Sequence, residues 1–239
     1  ISLAIADYEF VGEGSSDYSG WSIANAGDVD GDGLDDLLIG ASYEATAGDR
    51  AGAAYLILGA SLGTESVLSL STADTKFTGE NSGDRAGSLL STPGDIDGDG
   101  LDDLLIGAWN SHAGADDSGA IYLVFADQIG SETTMSLGAA DYIFAGAQAN
   151  DALGWGNNPP SGDVDGDGRP DLLFGAFKND TGFDNGGSAY LFFNTSLGSE
   201  SHISVTEADY HFIGEEMDDW AGLVVAADGD VDGDGLDDL

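Results

Sequence analysis

Short apolar runs alternate with polar, glycine-rich segments along the whole chain. Runs such as Leu37–Ala41, Ala54–Leu58 and Ile121–Phe125 are rich in aromatic and branched residues, and Gly, Asn, Asp or Ser bound them. Short segments of this composition are typical of β-strands and lack helical periodicity. The stretch Leu37–Ile39 is apolar at successive positions. We therefore predict an all-β protein whose central strands are buried on both faces.

The same order of segments recurs along the chain. An acidic nine-residue segment begins at Asp28, Asp95, Asp163 and Asp230, so the copies start 67, 68 and 67 residues apart. Four short strands per unit match the blade of a β-propeller, in which each blade is a four-stranded antiparallel sheet. We assign one array with repeats at 1–67, 68–134, 135–202 and 203–239, the last of them truncated.

The acidic segment predicts a site for a divalent cation. Its first, third, fifth and ninth residues are Asp in every copy, and a Gly at the sixth position permits a sharp turn. Calcium takes six to eight oxygen ligands in a flexible shell, whereas magnesium tolerates crowded protein shells poorly. An empty loop is costly, because two like charges 4 Å apart repel by roughly 4 kcal/mol at an effective dielectric constant near 20.

Each predicted calcium site combines those four carboxylates with the backbone carbonyl of the seventh residue, and we expect about one ion per repeat, up to four. The predicted ligands are Asp28, Asp30, Asp32, Leu34, Asp36, Asp95, Asp97, Asp99, Leu101, Asp103, Asp163, Asp165, Asp167, Arg169, Asp171, Asp230, Asp232, Asp234, Leu236 and Asp238. The segment is not an EF-hand, since the twelfth position lacks the Glu that such a loop requires. Three roles are open for the ions: pinning the blades, bridging to a ligand, or catalysis. The structural role is preferred.

The charge balance narrows the class of partner. The formal net charge is −40, from 45 acidic and 5 basic residues, and there is no cysteine. Nucleic-acid binders need clusters of Lys and Arg, so we exclude nucleic acid as a partner. No run approaches the length of a membrane span. Calcium sites of moderate affinity fill outside the cell, so we expect an extracellular or cell-surface location.

The chain resembles the FG-GAP repeat family, which forms the propeller head of integrin α subunits. The resemblance rests on Phe-x-Gly, on Gly-Asp-Val-Asp-Gly-Asp-Gly-Leu-Asp-Asp-Leu-Leu-Ile-Gly-Ala and on Gly-x-x-Tyr-Leu. It implies a ring of about seven blades with calcium at one rim, and an outer strand at Tyr8–Gly12. We expect a secreted bacterial or archaeal member. The third copy departs from the pattern, with Arg169-Pro170 in its loop and an insertion at Asn157–Pro160.

The functional expectation is a non-enzymatic module for adhesion or recognition of a protein or glycan. The alternatives are a structural surface-layer or filament component that assembles with itself, and an accessory propeller of a larger secreted enzyme. We expect the chain to be part of a longer polypeptide, or to complete a ring with a second chain. The ligand face is expected opposite the calcium rim. Its candidate residues are Tyr18, Arg85, Ala152, Trp220, Trp21, Ser88, Trp155 and Leu223.

Overall fold

The computed structural model describes residues 6–130, 132–156, 161–227 and 229–239. Within these ranges the chain forms β-strands and short 3-10 turns, and none of those turns is long and apolar enough to cross a membrane. The strands are β1 Glu9–Val11, β2 Ser19–Gly27, β3 Asp36–Ala41, β4 Ala53–Ile57, β5 Val67–Ser69, β6 Thr75–Thr78, β7 Ala86–Gly94, β8 Asp103–Ala108, β9 Ala120–Val124, β10 Thr134–Ser136, β11 Tyr142–Ala145, β12 Leu172–Ala176, β13 Ser188–Phe192, β14 His202–Ser204 and β15 Tyr210–Ile213.

Two complete blades carry the fold. In the first blade β2, β3, β4 and β6 form an antiparallel sheet, and in the second blade β7, β8, β9 and β11 do the same. A third blade contains β12, β13 and β15. The outer strand of each blade comes from the following repeat, as the resemblance implied. The all-β fold and the partial propeller are thus confirmed.

Each complete blade also has a fifth strand that the sequence pattern did not predict. β10 pairs in parallel with β6 at the outer edge of the first blade, and β14 pairs in parallel with β11 at the edge of the second. These short strands are the apolar-Ser-apolar segments that open each repeat. They cover an edge that would otherwise expose unpaired backbone groups.

The hydrophobic core lies between the blades. Leu38 and Phe77 of the first blade pack in one cluster with Ile106 and Tyr122 of the second. Ile39, adjacent to Leu38, faces the opposite side and belongs to another buried cluster. Successive residues of a strand point to opposite faces, so a strand between two blades must be apolar throughout. The prediction of two buried faces for Leu37–Ile39 is confirmed, apart from a half-buried Leu37.

Close contact between blades explains one recurring glycine. A Cβ atom on Gly40 of β3 would collide with the carbonyl oxygen of Gly87 in the second blade. Gly87 itself has φ of +75°, a region that residues with a side chain rarely adopt. The Gly-Ala that ends each central strand therefore lets the inner strand of the next blade pass over it.

Two sequence predictions lie outside the described residues. One is the opening segment of the first repeat, within residues 1–5, and the other is the insertion at Asn157–Pro160.

Candidate metal sites

In the two complete blades an acidic loop connects the inner strand to the central strand, and the third loop precedes β12. The first loop lies between β2 and β3, and the second between β7 and β8. Because β3 leaves the loop at Asp36 and ends at Ala41, the loops lie at one rim and residues after Ala41 lie at the other. A six-residue strand separates these rims by roughly 20 Å.

Backbone N–H groups organise each loop around its first Asp. In the first loop, Gly31 and Asp32 donate to Oδ1 of Asp28 (N···O 2.8 and 3.0 Å), and Gly33 donates to Oδ2 (2.9 Å). The fourth loop repeats the three bonds around Asp230. These donors partly offset the carboxylate charge, so the loop is arranged before any cation arrives.

The structure brings three of the predicted carboxylates together in each loop. Oxygen atoms of the first, third and fifth Asp lie within 4.8 Å of one another in the first, second and fourth loops. In the third loop the group of three consists of Asp163, Asp165 and Asp171, so the ninth residue takes the place of the fifth, Asp167. Three hard oxygen donors converging at a solvent-facing loop fit calcium, which accepts carboxylates in flexible geometry.

The ninth Asp of each complete copy is a buried hydrogen-bond acceptor. Asp103 accepts the N–H of Ile96 on one oxygen (2.8 Å) and that of Ala126 on the other (3.0 Å). Burial raises the pKa of Asp103 to about 7, and these two donors oppose the shift only in part. Burial likewise raises the pKa of Asp36 and Asp171, which accept equivalent pairs of bonds. Each oxygen retains a lone pair that can face a cation.

The eighth residue joins neighbouring loops, a contact that the sequence analysis missed. The N–H of Asp28 donates to Oδ2 of Asp102 (3.0 Å), and the N–H of Asp102 donates to the carbonyl of Asp28 (3.3 Å). Asp163 and Asp237 exchange the same two bonds at 2.8 and 3.0 Å. We call this pair of bonds the loop clamp. It fastens the first predicted ligand residue of one loop to the loop of the next blade.

The third copy replaces this clamp with a different contact. Pro170 occupies the eighth position and offers neither an N–H nor a carboxylate. Arg169 Nη1 instead donates to the carbonyl of Asp97 in the second loop (3.3 Å). The seventh residue elsewhere is Leu, and the methyl groups of Leu101 and Leu236 approach a glycine of the preceding loop. The substitution noted in the sequence therefore changes how two loops are joined, while Asp171 stays in place.

The opposite rim carries a continuous set of aromatic and basic side chains. The aromatic–cation row is defined as Tyr43, Arg85, Trp109, Trp155, Phe177 and Lys178. Arg85 lies over the rings of Tyr43 (4.5 Å) and Trp109 (5.0 Å). Trp109 contacts Trp155 with ring centroids 4.7 Å apart.

The candidate ligand residues of the sequence analysis divide into three groups. Arg85 and Trp155 belong to the row, and Tyr18 and Trp21 extend it, with Tyr18 4.6 Å from Tyr43 and Trp21 6.5 Å from Trp155. Trp220 and Leu223 are exposed. Ser88 and Ala152 are buried and cannot contact a ligand directly.

The row includes residues that the sequence analysis did not select. Trp109 and Phe177 follow the Gly-Ala that ends the central strand, in aligned positions of the second and third repeats. An aromatic residue directly after a buried strand, in two of three copies, was the available signal. That signal lies at the end of a central strand, away from the segments before the inner strands that contain the predicted ligand residues.

Comparison with known proteins places this geometry in a family. The profile of the FG-GAP repeat matches residues 19–57 and 87–124, which are the inner, central and third strands of the two complete blades. Integrin alpha-5 of Xenopus laevis is 34% identical over 179 residues, covering 73% of this chain and 16% of the relative. Integrin alpha-PS2 of Drosophila melanogaster is 31% identical over 182 residues, covering 74% of this chain and 12% of the relative.

The relatives in a second group are named as an enzyme. Human phosphatidylinositol-glycan-specific phospholipase D is 32% identical over 213 residues, covering 85% of this chain and 24% of the relative. The chain therefore spans about a quarter or less of the length of these curated relatives. The shared region is the repeat array alone.

Proposed function

This chain is an FG-GAP repeat protein, and we propose that it is an extracellular, calcium-binding β-propeller module for adhesion or recognition. The observation that carries the proposal is the set of four acidic loops, each with three carboxylates within 4.8 Å. The integrin relatives support a role in contacts outside the cell. The protein or glycan ligand would bind the rim opposite the loops.

The proposed role of the calcium ions is to pin the blade loops. The loop clamp ties the first ligand residue of one loop to the next blade, so an ion bound there would hold two blades in register. Neutralising the carboxylates would also remove repulsion within each loop. An ion that binds only the folded state stabilises it by about 2.7 kcal/mol per site when free calcium is a hundred times the dissociation constant.

Calcium titration tests the module directly. Calorimetry on the chelator-treated full chain should give up to four sites for calcium and much weaker heats for magnesium. Asp30→Asn should reduce the number of sites by one, because Asp30 belongs to the first group of carboxylates. Asp35→Asn is the matched control, since Asp35 lies in the same loop outside the predicted ligand set. No calcium binding by the folded chain would refute the proposal.

Two alternatives remain as competing proposals, each with its own observation. The phospholipase D relatives support an accessory propeller attached to an enzyme, because the match covers only their repeats. We propose that this segment itself is not an enzyme. The repetitive architecture supports a structural surface component, which would assemble with itself in calcium. Sedimentation of the full chain with calcium separates a monomeric module from a filament-forming one.

A further inference from the structure

Three of the five basic residues of this acidic chain gather at one rim. Arg50, Arg85 and Lys178 all lie over aromatic rings of that rim. Among the described residues, none of the three forms an ion pair with a carboxylate, although the chain has 45 acidic residues. The other two already have polar partners: Lys76 pairs with Glu13 and Glu44, and Arg169 bonds to the carbonyl of Asp97. Unpaired cations concentrated on one face of such a chain indicate an anionic ligand.

Ring stacking leaves the cations available for that ligand. The guanidinium of Arg85 is held between Tyr43 and Trp109, at 4.5 and 5.0 Å from their centroids. The ammonium of Lys178 lies 5.4 Å from the ring of Phe177 and 6.0 Å from that of Trp109. A stacked guanidinium keeps its N–H donors at its edge, where they can form a bidentate pair with a carboxylate.

The aromatic residues of the row form an extended surface. Trp155 is 4.7 Å from Trp109 and 6.3 Å from Phe177, so the rings run without a break across the second and third repeats. Tyr43 carries the surface into the first repeat through Arg85. A row of partly exposed aromatic faces across three repeats suits a long ligand built from repeating ring-shaped units better than a single small molecule.

We infer that the aromatic–cation row binds an extended saccharide that carries carboxylates, of the uronic acid type. The C–H faces of its sugar rings would pack on the tryptophans and Tyr43, and its carboxylates would pair with Arg85 and Lys178. This inference rests on the proposed recognition function and specifies its ligand class. An acidic peptide would supply the carboxylates without flat apolar rings, and a nucleic acid would require many more cations.

The net charge of −40 does not prevent such a contact in salt. At about 0.15 M ionic strength the Debye length is near 8 Å, so acids elsewhere on the surface are largely screened from a ligand at this rim. Acids such as Asp49 and Asp116 lie on hairpins at the same rim, so affinity must come from direct contact with the row.

The test is calorimetry of the calcium-saturated full chain with two defined probes. One probe is a 1,4-linked hexamer of uronic acid, and the other is a 1,4-linked hexamer of neutral glucose. We expect the acidic hexamer to bind and the neutral hexamer to bind at least tenfold more weakly. The double variant R85Q/K178Q should weaken binding of the acidic hexamer about tenfold or more, the loss expected for charge-assisted hydrogen bonds.

A control variant separates contact from total charge. T64E/S199E makes the net charge more negative by the same two units, but both residues are exposed and follow strand ends at the loop rim. It should bind the acidic hexamer like the unmodified chain. Equal binding by R85Q/K178Q, equal affinity for the neutral hexamer, or equal affinity for a hexamer of glutamate would each overturn the inference.

Failure of this inference differs from failure of the proposed function. A chain that binds calcium and remains folded, yet binds neither hexamer, refutes the saccharide and leaves the calcium module intact. A chain that binds no calcium refutes the module before either hexamer is tested.

Discussion

Aspartates at different positions of one acidic segment have different physical roles. Asp97 is exposed and contributes to the group of three carboxylates in the second loop. Asp103 is buried and accepts two backbone N–H groups from different segments. We expect the first role to depend on a cation, whereas the second supports the fold whether or not a cation is bound.

Substitution of these two residues should therefore have different effects on the stability of the calcium-free chain. Asp103→Ala leaves two buried N–H donors without an acceptor, each costing about 1–3 kcal/mol, so the free energy of unfolding should fall even in chelator. Asp97→Ala removes one repelling charge and should leave the stability in chelator unchanged or higher. Denaturant unfolding with and without calcium measures both. Equal losses in chelator would contradict this division of roles.

Two other buried acids should make stability depend on pH. Burial raises the pKa of Asp84 and of Asp151, whose Oδ1 atoms have no hydrogen-bond partner among the described residues. An acid with a raised pKa binds its proton more readily in the folded chain, so its ionised form destabilises the fold above the folded pKa. That cost is relieved as pH falls towards about 4, the value for an unfolded Asp.

Asp84→Asn should accordingly raise the melting temperature at pH 7.5, and the gain should shrink as pH falls towards about 4. The asparagine can still accept the Asn81 N–H that Asp84 accepts now (2.8 Å). Asp219 is the exposed residue at the same repeat position, so Asp219→Asn is the matched control and should change the melting temperature little. A gain that grows as pH falls would show that the sign is wrong.

At the level of elements, the propeller joins neighbouring loops through the eighth residue of the motif. Asp102 holds the first loop and Asp237 holds the third, but Pro170 leaves the second loop without a clamp. That loop instead accepts bonds from the third repeat, from Arg169 to the Asp97 carbonyl and from the Asn194 amide to the Ile96 carbonyl. The chain thus contains a natural comparison between clamped and unclamped loops. Binding at the first loop should depend on a residue that belongs to the second.

Asp102→Ala tests this dependence. Loss of the acceptor for the Asp28 N–H should cost about 1.5–3 kcal/mol of stability, as for a hydrogen bond to a charged group, and should weaken calcium at the first site. Asp35→Ala is the control, because Asp35 occupies the same motif position and, within the part of the chain that the structure describes, its side chain bonds only to the exposed Asn25 amide (3.2 Å). Comparable effects of both substitutions on calorimetry and unfolding would exclude a specific clamp.

The strands and loops that the sequence predicted correctly are those that depend on residues close together in the sequence. The apolar run at Leu37–Ile39 and the glycine turn of each acidic loop depend on adjacent residues, and both were recognised. The parallel pairing of β10 with β6 was not predicted. Met135 and Phe77 are distant in the sequence, and only the arrangement of the blades brings them together. The loop clamp was missed for the same reason, since Asp28 and Asp102 are 74 residues apart.

The row at the opposite rim shows a further limit of prediction from the sequence. Tyr18 and Arg85 could be selected because aligned copies differ there, and Trp155 because it lies near such a position. Trp109 and Phe177 come from another strand end. Their proximity requires three blades to be arranged about one axis. Composition did indicate that five basic residues must be placed among 45 acidic ones, yet only the fold shows that three of them share a rim.

For the whole molecule, the dominant feature is a net charge of −40 on 239 residues. Folding brings these charges closer together than in the unfolded chain, so their mutual repulsion destabilises the compact state. Salt screens this repulsion, with a Debye length of about 30 Å at 0.01 M, 10 Å at 0.1 M and 3 Å at 1 M. Calcium should relieve part of it by occupying the loops.

The melting temperature of the calcium-free chain should therefore rise steadily with sodium chloride between about 0.01 and 0.5 M. For a chain of this size each kcal/mol gained corresponds to about 2–4 °C. The calcium-saturated chain should respond less, because its densest clusters of charge are already neutralised. Scanning calorimetry at fixed pH measures both curves. If the melting temperature of the calcium-free chain does not change with salt, surface repulsion contributes little to its stability. If the melting temperature rises equally with salt in both forms, the repulsion is not concentrated in the acidic loops.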